Sequence, residues 1–226
     1  DKNNQNHIQI QGELHANLMN YIPLEWDIRN PSTPDGTVVP KIQDWFNANA
    51  LTGPSFKSNF DINHDFRNMI DYFLFAEFIM ATDCYDYNFI LTSRNGIKFF
   101  ITPYDLDTTF GLHWSGLSFD PPTVSITSIS FWDKFKTAFS TEIKARYAAL
   151  KTKDILTETN VYRHFSDIAK LIGIEKYQED FTKWTEIPSN NLGVTTPYGT
   201  GGCYTSVSQI MDWTKDRVIW MDSQYT

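Results

Sequence analysis

Four oxygen-bearing side chains near the middle of this sequence are spaced so that folding could bring them together. Asp83 and Asn88 bracket the stretch "DCYDYN", and Asp105 and Asp107 stand one residue apart in "TPYDLDTTFG". Neighbouring carboxylates repel unless a cation lies between them or water screens them. A metal ion would account for the second pair, and so would an exposed turn. Three carboxylates and an amide are hard oxygen donors, which suit Mg²⁺ better than zinc or copper.

The elements around these residues say whether they can meet. "FILT" and "IKFFIT" are strand-like, and Asn95-Gly96 between them is a strong hairpin signal. With those two residues as the loop, Phe100 faces Leu91, Pro103 faces Asn88 and Asp105 faces Asp86. Asn88 and Asp105 then become near-diagonal neighbours, within about 5–8 Å. Upstream, "DFRNMIDYFLFAEFIMATD" carries apolar residues on more than one face, which predicts a central helix from about Asp65 to Ala81. A hairpin over 89–102 should pack against it. The order is helix, Asp83, four residues, Asn88, hairpin, Asp105. Protein kinases use that order for a catalytic Asp, a metal-binding Asn and a second metal-binding Asp.

At 226 residues, with 41% hydrophobic and 20% charged residues, the chain has material for one large domain or two small ones. Net charge is −8 and Lys and Arg form no cluster, which argues against nucleic acid as a partner. No apolar run approaches the roughly 20 residues that span a bilayer. Ile8 and Ile10 share one face of a first strand, and a second short strand is expected in "NYIPLEWDI". "KIQDWFNANAL" has helical spacing, and "SFWDKFKTAFSTEIKARYAALK" presents one continuous apolar stripe. "NVYRHFSDIAKLIG" sets Val161, Phe165, Ile168 and Ile172 on one face and stops at Gly173. A last helix should open on a Ser206/Gln209 capping box. The whole reads as an α+β, mainly helical fold. Cys84 and Cys203 permit one disulfide without requiring it.

The stretch from Met69 to Gly111 resembles the core signature of the spore-coat protein H-like (CotH) kinases. Ile70, Asp71, Tyr72, Glu77, Asp83, Asn88, Pro103, Asp105, Asp107, Phe110 and Gly111 fit that signature, and Trp213, Arg217 and Asp222 fit the family's last helix. The resemblance implies a protein-kinase-like C-terminal lobe whose hairpin carries the metal site. It also implies Mg²⁺-dependent (or Mn²⁺-dependent) transfer of phosphate from ATP to Ser or Thr of a protein. By that likeness Asp83 is the catalytic Asp, Asn88 and Asp105 hold the metal and nucleotide, and Asp107 is a second carboxylate at the metal. An extracytoplasmic or surface location follows from the same likeness.

Position 81 is Ala where the family often has Asn, and no Gly-rich phosphate loop or strand lysine precedes the central helix. Residues 1–58 are therefore expected to be the remnant of an N-terminal lobe, hinge and short helix. Residues 59–226 would be the kinase-like lobe, able to fold but a weak enzyme alone. Asp71 and Glu77 are lesser catalytic candidates, and His113 and Trp114 could touch substrate. Two other functions compete: an inert kinase-like surface or assembly module, and a metal-dependent glycosyltransferase using Asp105 and Asp107. The latter needs alternating βα units upstream, which residues 1–64 do not supply.

Overall fold

The computed structural model describes residues 4–12, 26–85, 88–112, 120–125, 130–184, 195–196, 199–200 and 207–226. It is mainly helical with a small antiparallel sheet, and divides into two compact units. The first comprises residues 1–77, 81–106 and 126–146; the second takes 78–80, 107–125 and 147–226. Residue 58, the boundary expected from sequence, falls inside a helix of the first unit.

The first unit is built on four strands, β1 (Ile8–Gly12), β2 (Trp26–Asn30), β3 (Phe89–Ser93) and β4 (Phe99–Pro103), in the order β2-β1-β3-β4. Alternation decides the faces: Ile8, Ile10, Phe89, Leu91, Phe99 and Ile101 are buried, while Gln9, Thr92 and Thr102 lie on the other side. Helices α1 (Val38–Ala50), α3 (Phe66–Ile79) and α4 (Ser130–Ala138) follow the expected periodicity, and α2 (Gly53–Asn63) is a helix the sequence reading did not expect. The single helix expected after Ser130 is divided at Phe139 into α4 and α5 (Ser140–Thr152). Backbone hydrogen bonds still run through the break, from Phe139 N–H to Phe135 and from Ile143 N–H to Phe139, so the apolar stripe keeps its phase.

An aromatic cluster forms much of this unit's core. Phe60 stacks on His64 with centroids 4.0 Å apart, and Phe135 and Phe139 meet Phe60 at 5.3 and 5.0 Å. His64 Nδ1 lies 3.0 Å from the Phe60 carbonyl, and Nε2 faces the Asn49 amide at 2.7 Å. Burial holds this imidazole neutral, with its pKa lowered to about 3. Lys134 ends α1 by donating to the carbonyls of Asn49 and Leu51.

The hairpin register differs by one residue from the expectation. Leu91 faces Ile101 and Phe89 faces Pro103, so the loop is Arg94–Lys98 rather than Asn95-Gly96 alone. Side chains cause the difference. Asn95 Oδ1 accepts from the backbone N–H groups of Ile97 and Lys98, and Ser93 Oγ accepts from Gly96 N–H and donates to the Lys98 carbonyl. Asn95-Gly96 still makes the turn, with Gly96 at φ 72°, but as an Asx-closed loop and not a two-residue one.

In the second unit, α6 (Glu158–Ile172) ends at Gly173 as expected, with φ 78°, and is followed by α7 (Ile174–Lys183). Ile168 and Ile172, assigned by periodicity to the inward face of α6, are exposed among the described residues. A short pair, β5 (Thr195–Thr196) and β6 (Gly199–Thr200), precedes α8 (Val207–Tyr225). Arg217 of α8 is fully buried and donates to the carbonyls of Pro122 and Val124. Ser206, Cys203, His113 and Trp114 lie outside the described residues.

Candidate active site

The chain leaves α3 through a tight reversal. Met80 takes a left-handed conformation, φ 54°, and Ala81 N–H bonds back to the Ala76 carbonyl at 2.9 Å, the Schellman pattern that ends helices. A 3₁₀ turn, Thr82–Tyr85, follows and carries Asp83. The Asn88 N–H then donates to the Asp83 carbonyl at 2.8 Å, closing the Asp83-to-Asn88 segment into a loop.

Buried aromatic donors fix that turn. Tyr72 O–H of α3 donates to the Cys84 carbonyl, and Tyr85 O–H donates to the Phe73 carbonyl at 2.7 Å. Trp132 Nε1–H of α4 donates to the Tyr85 carbonyl at 3.0 Å, while the Trp132 and Tyr85 rings stack at 4.8 Å. Each bond satisfies a backbone group that burial would otherwise strand. Sequence reasoning placed Trp132 in an apolar stripe and missed this role. The available signal was chemical: a buried Tyr or Trp usually needs a partner for its polar tip.

The hairpin then returns the second half of the motif. Tyr104 N–H donates to the Asn88 carbonyl at 3.0 Å, so Asp105 begins one residue past a direct partner of Asn88. The observed register thus pairs Asn88 with Tyr104, not Pro103, and leaves Asp105 one residue past that pair instead of at the expected diagonal position two residues on. Asp105 adopts φ 56°, a conformation that Asp tolerates better than most residues. Cys84 sits between the two halves, its Sγ 3.7 Å from the Tyr104 carbonyl. Burial chiefly pushes its thiol up to about 11, and the charges of Asp83 and Asp105 push the same way. Backbone bonds thus bring the Asp83 turn, Asn88 and the Tyr104–Asp105 step to one end of the hairpin. The buried free thiol is a packed neighbour, not a nucleophile.

Asp107 is exposed and opens the second unit's segment, where "TTFG" has a structural explanation. Phe110, at φ 54°, meets Phe165 at 5.6 Å and Trp213 at 6.0 Å. Gly111 has φ 82°, and a Cβ there would come within 2.4 Å of Trp213 Nε1 and 2.8 Å of the Asp120 carbonyl. Asp71 is held bidentately by Arg146, at 2.6 and 2.9 Å, which gives it a structural duty. Glu77 is fully buried and engaged in interactions of its own.

The donors fit a hard divalent cation in kind. Among the described residues no three His, Cys, Asp or Glu side chains gather as a metal cluster, so the set depends on the Asn88 amide beside its carboxylates. The named strands of the larger sheet all pair antiparallel, which gives the glycosyltransferase reading no support.

A mainly helical domain that sets oxygen donors where a hairpin returns to a pinned turn is the class defined so far. The chain belongs to the CotH kinase family: the family described as "CotH kinase protein" matches residues 34–221. No curated protein and no solved structure matches it.

Proposed function

We propose that this chain performs the metal-dependent step of phosphoryl transfer from ATP to Ser or Thr of a protein. The observation that carries the reading is the Asn88 backbone, which donates to the Asp83 carbonyl and accepts from Tyr104 N–H, so that the chain brings Asp83, Asn88 and Asp105 to one end of the hairpin. In this reading Asn88 and Asp105 would hold Mg²⁺ or Mn²⁺, with Asp107 as a further carboxylate. A bound divalent ion would neutralise charge on the nucleotide phosphates. Asp83 orients the acceptor hydroxyl and takes its proton as the oxygen bonds to the terminal phosphorus, while the bond from that phosphorus to the bridging oxygen breaks and ADP leaves. Positioning does most of such catalysis, which is why the turn carrying Asp83 needs rigid support. A surface or extracytoplasmic setting suits the family, and no described helix is long and apolar enough to cross a membrane.

The test measures Mn²⁺ binding by electron paramagnetic resonance and transfer of labelled phosphate from ATP to a Ser/Thr protein. Asp105→Ala and Asn88→Ala should lose ion binding, whereas Asp83→Ala should keep it and lose transfer. Failure of the unaltered chain to bind Mn²⁺ with or without ATP would overturn the reading in favour of an inert surface or assembly module.

A further inference from the structure

The turn end of the four-stranded sheet carries a cleft of about 710 Å³ that the proposed chemistry does not use. His7, Gln9, Arg29, Asn30, Thr92 and Arg94 line it, and no Asp or Glu does, in a chain with 27 acidic against 19 basic residues. Its floor follows from the register. Gln9 pairs with Asn30 on one side and Thr92 on the other, and alternation turns this row away from buried Ile8, Ile10 and Leu91.

Arg29 reaches the cleft through an irregularity. The ladder steps from Gln9–Asn30 to Ile10–Ile28, so Arg29 is the unmatched residue of a β-bulge, a device that re-aims side chains. Its ion pair with Asp27 is exposed and long, 3.7 Å, which leaves the guanidinium little neutralised. Its other neighbour is the Tyr104 ring, 5.4 Å away. Arg94 begins the hairpin loop, is exposed, and meets no carboxylate at ion-pair distance among the described residues. The five residues of β3 separate Arg94 from Asn88 by six rises, roughly 20 Å, so an anion at Arg94 is not a ligand of the metal-binding end.

We propose that this cleft is an oxyanion-binding site, with Arg94 and Arg29 holding a phosphate or carboxylate group. Two guanidinium forks suit planar or tetrahedral oxyanions, and the amide and hydroxyl row beneath supplies neutral donors. The site stands independently of the phosphoryl-transfer reading.

The experiment is an NMR titration of ¹⁵N-labelled chain in EDTA with inorganic phosphate, a phosphoserine peptide, its Glu counterpart and its unmodified Ser counterpart. The anions should shift the amides of Gln9, Thr92 and Arg94 saturably, and the Ser peptide should not. Arg94→Glu and Arg29→Glu, checked as folded by their spectra, should each weaken binding by at least about tenfold. Asp105→Ala should leave it unchanged, which separates this site from the metal end. Tighter binding of the phosphoserine or Glu peptide than of free phosphate identifies a protein-borne ligand; equal binding identifies the free anion. No saturable shift with any anion, unaltered affinity in Arg94→Glu, or loss of binding in Asp105→Ala would overturn the proposal.

Discussion

The two ends of β3 carry opposite chemistry. At its start, the Asn88 backbone bonds to Asp83 and Tyr104 beside the buried Cys84, and aromatic donors hold the turn in place. At its finish, the hairpin loop, closed by its own side chains, sets exposed Arg94 at a cleft with no acidic lining, which Arg29 of β2 also borders. The acidic end is anchored from below, as the proposed transfer chemistry would require. The basic end is anchored only locally, which is enough for holding an anion but not for steering a reaction. Depth of support, rather than charge, separates a reaction site from a docking site.

The largest expected effect breaks the acidic end outright. Asp83→Ala should reduce phosphate transfer by about 10²–10⁴-fold, the usual contribution of a positioned base. Asp105→Ala should abolish metal-dependent transfer, read as no stimulation of phosphate transfer by added Mg²⁺ or Mn²⁺. Asp105→Ala places Ala at φ 56° and should cost about 1 kcal/mol in urea unfolding, so transfer is compared on samples shown to be folded.

Acid tests what lies beneath the sheet near the basic end, where His64 bridges to Phe99. Its folded pKa of about 3 lies below the usual value, so the unfolded chain takes up a proton that the folded chain refuses. Stability from this group is full above about pH 6.5 and is lost as pH falls toward 3, by up to about 4 kcal/mol. Urea unfolding between pH 7 and pH 4 should show that slope, and His64→Phe should flatten it.

Smaller effects distinguish deep from shallow anchoring. Trp132→Phe and Tyr72→Phe each strand a buried carbonyl and should cost about 1–3 kcal/mol in urea unfolding. Both should also reduce transfer more than they weaken Mn²⁺ binding, because Asp83 loses its support while the hairpin ligand remains. Arg94→Ala should change stability by no more than about 0.5 kcal/mol. A large loss there would show that the basic end is structural, and the contrast between the ends would fail.

Much of this arrangement was legible in the residues. Helical periodicity located α1, α3 and α6, and Asn95-Gly96 located the hairpin turn. The register was not legible, because local bonds from Ser93 and Asn95 outbid the two-residue turn. A slip of one residue exchanges facing partners along the ladder, and it takes Asp105 out of the diagonal position expected opposite Asn88. The anchoring by Trp132 depended on a partner 47 residues away in sequence, which no local pattern reveals. Exposure of Ile168 and Ile172 was equally hidden, since periodicity marks a face without saying what it meets.

One small contact has a larger consequence for how the protein behaves in company. The Asn68 amide of α3 accepts from Ile101 N–H and donates to the Ile101 carbonyl, while Asp65 N–H takes the Phe99 carbonyl. Pro103, next in the outward-facing series, has no N–H to offer. The β4 edge is thus closed to a fifth strand by a side chain imitating one. Edge-to-edge aggregation, the hazard of any open sheet, is confined to β2, where the bulge and exposed charges of Asp27 and Arg29 oppose it.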